Sequence, residues 1–149
     1  MRTVRQLLEG KPKGVHTVNA DDPVRTAIQK MADHFVGALP VLRDGKLAGI
    51  VSERDYARKV VLMGRNSSET LVAVIMSSPV IHVGPAQSVN ECMMLMTEKR
   101  IRHLPVVENG ELIGVISIGD SFPSARRRAT LRHNAPISRS RFRTPASFV

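Results

Sequence analysis

Two seven-residue stretches of the chain carry one chemical pattern. Gly49-Ile-Val-Ser52-Glu-Arg-Asp55 and Gly114-Val-Ile-Ser117-Ile-Gly-Asp120 each place a serine three residues before an aspartate, behind a glycine and two aliphatic residues. If a helix starts at the serine, the hydroxyl and the unpaired amides of the first turn suit a phosphate. The carboxylate one turn on can accept from the two adjacent hydroxyls of a ribose. The same spacing also suits a plain helix start, with the serine capping an amide and the acid near the positive end of the dipole. Spacing alone leaves these two readings level.

Other reactive side chains point less clearly to chemistry. His16, His82 and His103 lack the spacing of metal ligands, so no metal is expected. Cys92 falls on an apolar face with Met93 and Met96 and reads as core filler. Arg54, Arg58 and Lys59 suit a solvated helix face, whereas Arg100 and Arg102 stand at the mouth of a strand. The chain contains no glycine-rich P-loop, serine triad or paired-carboxylate arrangement.

The elements that must position the two motifs are themselves duplicated. Val18 to Asp55 aligns without a gap on Val83 to Asp120, 65 residues later, and eleven of the 38 pairs are identical, among them Pro40/Pro105, Gly49/Gly114, Ser52/Ser117 and Asp55/Asp120. A repeat of this length marks two copies of one supersecondary unit, each needing the other to cover its apolar face. Each copy opens on a short strand, Val15 to Val18 or Val80 to Val83. A helix follows, with Val24, Ala27, Ile28 and Met31, or Val89, Cys92, Met93 and Met96, at helical spacing. Asp22-Pro23 offers a cap and a first-turn proline to one helix, and Ser88 with Glu91 a capping box to the other. Asp44-Gly45 and Asn109-Gly110 then mark tight hairpins between apolar strands. A closing helix, Tyr56 to Met63, ends at Gly64.

The expected organisation is a short N-terminal stub over residues 1–14, a first repeat over 15–64, a linker and the start of the second unit over 65–79, and a second repeat over 80–120. Val72 to Met76 is read as opening that second unit. The second copy loses its pattern after Asp120. Pro123 would fall inside its closing helix, at a cost of roughly 3 kcal/mol, so that helix is expected to be missing or replaced.

The formal charge of +9 must be located before it is interpreted. Residues 1–120 hold 15 Lys and Arg against all 13 Asp and Glu, while residues 121–149 add seven arginines and no acid. The basicity thus belongs to a tail, expected to be irregular. A nucleic-acid-associated regulator acting through that tail is the alternative function. The abrupt change of composition also resembles sequence read in another frame. No apolar run approaches the ~20 residues of a membrane span, and no secretory leader is evident. A single cysteine fits a reducing cytoplasm.

The tandem repeat, its hairpins and the two Gly-aliphatic-aliphatic-Ser-x-x-Asp endings resemble a pair of cystathionine-β-synthase-type (CBS) domains, a Bateman module. The segments Glu91-Cys-Met-Met-Leu-Met-Thr-Glu-Lys-Arg-Ile-Arg-His-Leu-Pro-Val-Val and Glu53-Arg-Asp-Tyr-Ala-Arg-Lys-Val are similar to small stand-alone bacterial CBS-pair proteins. The likeness spans about residues 3 to 120. It implies an α/β fold of two βαββα repeats about a pseudo-twofold axis. It also implies a regulatory, non-catalytic role, with an AMP, ADP, ATP, NAD-type or S-adenosylmethionine ligand in the cleft between repeats. A homodimer and an unknown regulated protein are the implied partners. An IMP dehydrogenase, which carries such repeats as an insert, would need a catalytic barrel for which these residues leave no room.

Carried over by position, the resemblance puts Asp120 on the ribose hydroxyls and Ser117 on the phosphate. The adenine would then lie against backbone at Ile81, His82 and Val83 beneath Pro105, with Arg102 and His103 near phosphate charge. Asp55, Ser52, Arg54, Val15, His16, Thr17 and Pro40 form the pseudo-symmetric set.

Overall fold

Two hairpins form the centre of the protein, and both are built as their turn residues require. The computed structural model describes residues 2–12 and 14–121, with side chains as far as residue 119. Strands β2 (Ala38–Arg43) and β3 (Lys46–Ser52) are joined by Asp44 and Gly45 at φ 53° and 77°. Strands β4 (His103–Glu108) and β5 (Glu111–Ser117) are joined by Asn109 and Gly110 at 53° and 79°. Two successive positive φ values define the tight turn that matches strand twist. The duplication extends to an irregularity. Each hairpin slips register once, at Val41/Leu42 and at Val106/Val107.

The opening strands are much shorter than their apolar residues suggest. Strand β1 is only Val18–Asn19, paired parallel to Val41 and Leu42, and its counterpart is a single parallel bridge, Val83 to Val106. Val15 and His16, expected in the first strand, turn toward a cleft instead of pairing.

Helices α2 (Val24–His34) and α5 (Val89–Lys99) bury the expected stripes: Val24, Ala27 and Met31 in one, Val89, Cys92 and Met96 in the other. Their N-termini differ from expectation. Pro23 is itself the N-cap of α2 and makes no side-chain capping bond. The amides of Val24 and Arg25 donate to the carbonyls of Thr70 and Ser67, so the linker does the work assigned to Asp22. At α5, Ser88 Oγ accepts from the Glu91 amide at 3.1 Å, but the Glu91 carboxylate takes the Ser88 hydroxyl and not its backbone amide. The capping box is half made.

The segments outside the aligned repeats complete the cores by crossing over. Helix α1 (Val4–Glu9) places Val4 and Leu7 among Val83, Val89, Cys92, Met96, Leu104, Val106 and Ile116, inside the second repeat. Helix α4 (Val72–Ile75) places Val72 and Ile75 inside the first repeat, with Val24, Met31, Leu39, Val41 and Val51. Val4 and Leu7 of residues 1–14 thus fill the second repeat's core, and Val72 and Ile75, from the segment read as opening the second unit, fill the first. Backbone bonds fix both crossings: Val4 N–H to Gln87 O and Val89 N–H to Arg2 O, with Val24 N–H to Thr70 O and Val72 N–H to Asp22 O. Arg5 also pairs with Glu108.

The duplicated glycines now acquire a reason. A Cβ on Gly49 would lie 2.6 Å from Met76 Sδ, and one on Gly114 would lie 2.6 Å from Leu8 Cδ2. Each glycine leaves room for a side chain at the C-terminal end of a crossing helix.

After Ser52 the chain forms α3 (Glu53–Tyr56), widens into a π-helical turn over Ala57–Val61, and stops at Gly64 with φ +67°. In the second repeat α6 (Ile118–Ser121) begins at the same place. The fate of the closing helix beyond it, and the Arg-rich tail, lie outside the described residues. The result is an α/β fold of two CBS-like repeats related by a pseudo-twofold, with β3 and β5 in contact at its centre.

Candidate functional site

A cleft of about 680 Å³ lies between the two repeats and is built by both. One wall comes from the first repeat: Val15, His16, His34, and the segment from Phe35 to Pro40. The other comes from β4, β5 and α6, with His103, Gly114, Val115, Ser117 and Gly119, and from Leu8 of α1 and Lys11 just after it. A volume of this size falls in the range of small-ligand sites, roughly 300–1,000 Å³.

Strand register sets the second wall. His103 is the cross-strand partner of Ser117, so imidazole and hydroxyl flank one point of the hairpin. From there the His103 ring reaches across to the first repeat, where its Cε1 lies 3.8 Å from the point a Cβ on Gly37 would occupy, with the Glu53 carboxylate 3.9 Å from the same point. The Glu53 amide donates to the Gly37 carbonyl at 3.0 Å, which ties the start of α3 to the cleft wall.

Helix ends set the first wall. Helix α2 finishes at His34, and Phe35 follows in the left-handed region at φ 55°. Its amide donates to Met31 O, and the Val36 amide donates to the same carbonyl, closing the last turn. Arg100 takes the same conformation in the second repeat, so the turn is a property of the unit. Phe35 is 87% exposed at the cleft mouth, an uncommon setting for a large aromatic. Beside it the rings of His16 and His34 stack with centroids 3.6 Å apart and planes 12° from parallel. Among the described residues, no group of three His, Cys, Asp or Glu gathers as a metal would require.

The residues singled out in the sequence are thus sorted in a new way. Val15, His16 and Pro40, from one predicted set, share the cleft with Ser117 and His103, from the other. Thr17 stands apart, its carbonyl accepting from Lys30 Nζ at 2.7 Å. Ile81, His82, Arg102 and Arg54 are exposed and do not line the cleft, while Val83 and Pro105 are buried in the second repeat. Both backbone groups of Val83 are spent on β4, its amide on Pro105 O and its carbonyl on the Val107 amide.

Ser52 and Asp55 form a complete capping box. The Asp55 amide donates to Ser52 Oγ at 3.2 Å, and Asp55 Oδ2 accepts from the Ser52 amide at 2.9 Å and hydroxyl at 3.0 Å. Lys59 Nζ lies 3.2 Å from Asp55 Oδ1. Neither member of the box lines the cleft. The backbone of Asp120 lies within α6, one residue past Gly119, and its side chain lies outside the described residues.

His34, Phe35 and Lys11 are cleft residues that sequence reasoning missed. No repeat signal marks them, since His34 aligns with Lys99 and Phe35 with Arg100. One hint was available: an aromatic at a helix C-terminus where glycine is the common choice.

Cys92 is fully buried against α1 and β4. Burial, and then the neighbouring Glu91 charge, raises its thiol above the usual cysteine range.

Comparison with known proteins matches residues 12–62 and 72–120 to the CBS domain family. The mitochondrial CBS domain-containing protein CBSX3 of Arabidopsis thaliana is 47% identical over 127 residues, covering 79% of this chain and 62% of that protein, so the chain spans somewhat less than two thirds of this relative. The solved structure of a CBS-domain protein from Burkholderia ambifaria superposes with a TM-score of 0.79 at 47% identity, covering 91% of this chain and 98% of that one. The CBS domain pair of MJ0100, solved with 5′-methylthioadenosine and S-adenosyl-L-methionine, has the same fold, with a TM-score of 0.74 at 21% identity over 86% of this chain and 98% of that one.

Proposed function

The chain belongs to the CBS domain family, and from that premise we propose that it is a non-catalytic regulatory module whose inter-repeat cleft binds an adenosine-containing nucleotide. The observation that carries this reading is the cleft itself, which neither repeat forms alone. A ligand lying in it touches both halves and ties them together. It can therefore bias the population of arrangements that differ in how the halves sit. The ligand class is AMP, ADP, ATP or NAD-type, as the resemblance implies, and the same fold in the MJ0100 pair holds adenosyl compounds.

Ser117 would face the phosphate and Asp120 the ribose diol. The adenine would lie against Val15 and Pro40 of the first repeat. The output is an altered surface presented to a regulated protein, from a cytoplasmic homodimer. The rival nucleic-acid reading rests on residues 122–149, which lie outside the described structure.

Isothermal calorimetry with AMP tests this reading. Asp120→Ala is expected to weaken binding by roughly 1–3 kcal/mol, the scale for leaving hydroxyl donors without an acceptor. Wild-type affinity in that variant removes the ribose role, and absence of binding to any adenosine compound removes the function.

A further inference from the structure

We propose that the stacked His16–His34 pair is a proton-dependent phosphate clamp, which makes the cleft select anionic adenosine ligands over neutral or cationic ones. The inference rests on the adenosine reading and deepens it. The two rings lie 3.6 Å apart at the cleft wall, and both side chains are exposed to whatever enters. The pair comes from two different elements, the segment before β1 and the last residue of α2. Chain continuity therefore does not force the contact.

The described charged groups around the pair are two lysines and two acids, with a third histidine across the cleft. Lys11 reaches the cleft from the segment after α1, its Nζ donating to Val115 O at 2.7 Å. Lys30, one turn before His34, donates to the Thr17 carbonyl next to His16. His103 faces the first repeat from β4. Two described acids stand near: Asp33, which accepts from Gln29 Nε2, and Glu53 beside Gly37. Asp120 belongs to the ribose side of the proposed site.

Imidazole is the side chain whose charge changes in the physiological pH range. Two positive rings at this separation repel each other. A phosphate laid against them cancels that repulsion and gains charge-assisted hydrogen bonds. Binding of a phosphate ligand therefore takes up protons, and its affinity rises as pH falls. A sulfonium such as S-adenosylmethionine meets the opposite field. Adenosine meets neither effect.

Calorimetric titration of the full chain with AMP, adenosine and S-adenosylmethionine separates these cases. AMP affinity is expected to rise about tenfold from about pH 8 to about pH 6, with adenosine changing by less than about twofold and S-adenosylmethionine weakening. The phosphate of AMP itself loses charge over this interval, so the ligand alone would give the reverse trend. His16→Gln and His34→Gln, both at exposed positions, should each reduce the pH ratio for AMP to about twofold or less. A pH-independent AMP affinity, or a rise that survives both substitutions, overturns the clamp and leaves the adenosine reading intact. Failure of all three compounds to bind at either pH defeats the adenosine reading and the clamp with it.

Discussion

At the scale of single residues, identical pairs in the two repeats need not do identical work. Ser52 and Asp55 satisfy each other around the start of α3, with Lys59 against the second carboxylate oxygen. Ser52→Ala removes the cap and leaves the Asp55 amide without its acceptor. A loss of about 1 kcal/mol in chemical denaturation is expected, and an unchanged midpoint would show that the box contributes nothing. Cys92 offers a second residue-scale test. Fully buried and with its thiol raised by burial and Glu91, it should resist thiol reagents at neutral pH until the second repeat opens. Rapid labelling of the native protein would contradict that packing. Sequence spacing made the Ser-x-x-Asp motif visible but could not separate cap from ligand, because both roles ask for a hydroxyl and a carboxylate at the same three-residue interval.

At the scale of elements, local chemistry was the most readable part. The two-residue turns were written in Asp44-Gly45 and Asn109-Gly110, and the buried stripes of α2 and α5 in their spacing. The exchange of α1 and α4 between repeats was not readable, since Val4, Leu7, Val72 and Ile75 are apolar residues that would suit either core. The clue lay in Gly49 and Gly114, whose identity reflects the approach of Met76 and Leu8. Gly49→Ala presses a methyl onto Met76 and to 3.0 Å from the Ser77 carbonyl. A destabilisation of about 1–3 kcal/mol is expected from such overpacking. A neutral effect in a denaturant titration would mean that the crossing helix shifts freely.

At the scale of the whole molecule, the crossing helices and the cleft are two consequences of one arrangement. Neither repeat closes its own core, so the halves are held together before any ligand arrives, and the groove between them is largely preformed. Lys11 and Leu8 reach that groove because α1 is docked on the second repeat. The helical end carries exposed apolar side chains, Val61, Leu62, Met63 and Val74, which suit the proposed homodimer contact. The repeat was legible from Val18 to Asp120, but the cleft was only partly so. It draws Val15, His16 and Pro40 toward Ser117 and His103, mixing sets that linear alignment keeps apart.

The most direct test of the central claim is to map AMP on the backbone amides by nuclear magnetic resonance titration. Saturable shift changes should concentrate at His16, Phe35 to Leu39, His103, and Gly114 to Gly119, on both walls at once. Changes confined to one repeat, or scattered over the outer helices with those amides unmoved, would contradict a ligand held between the halves.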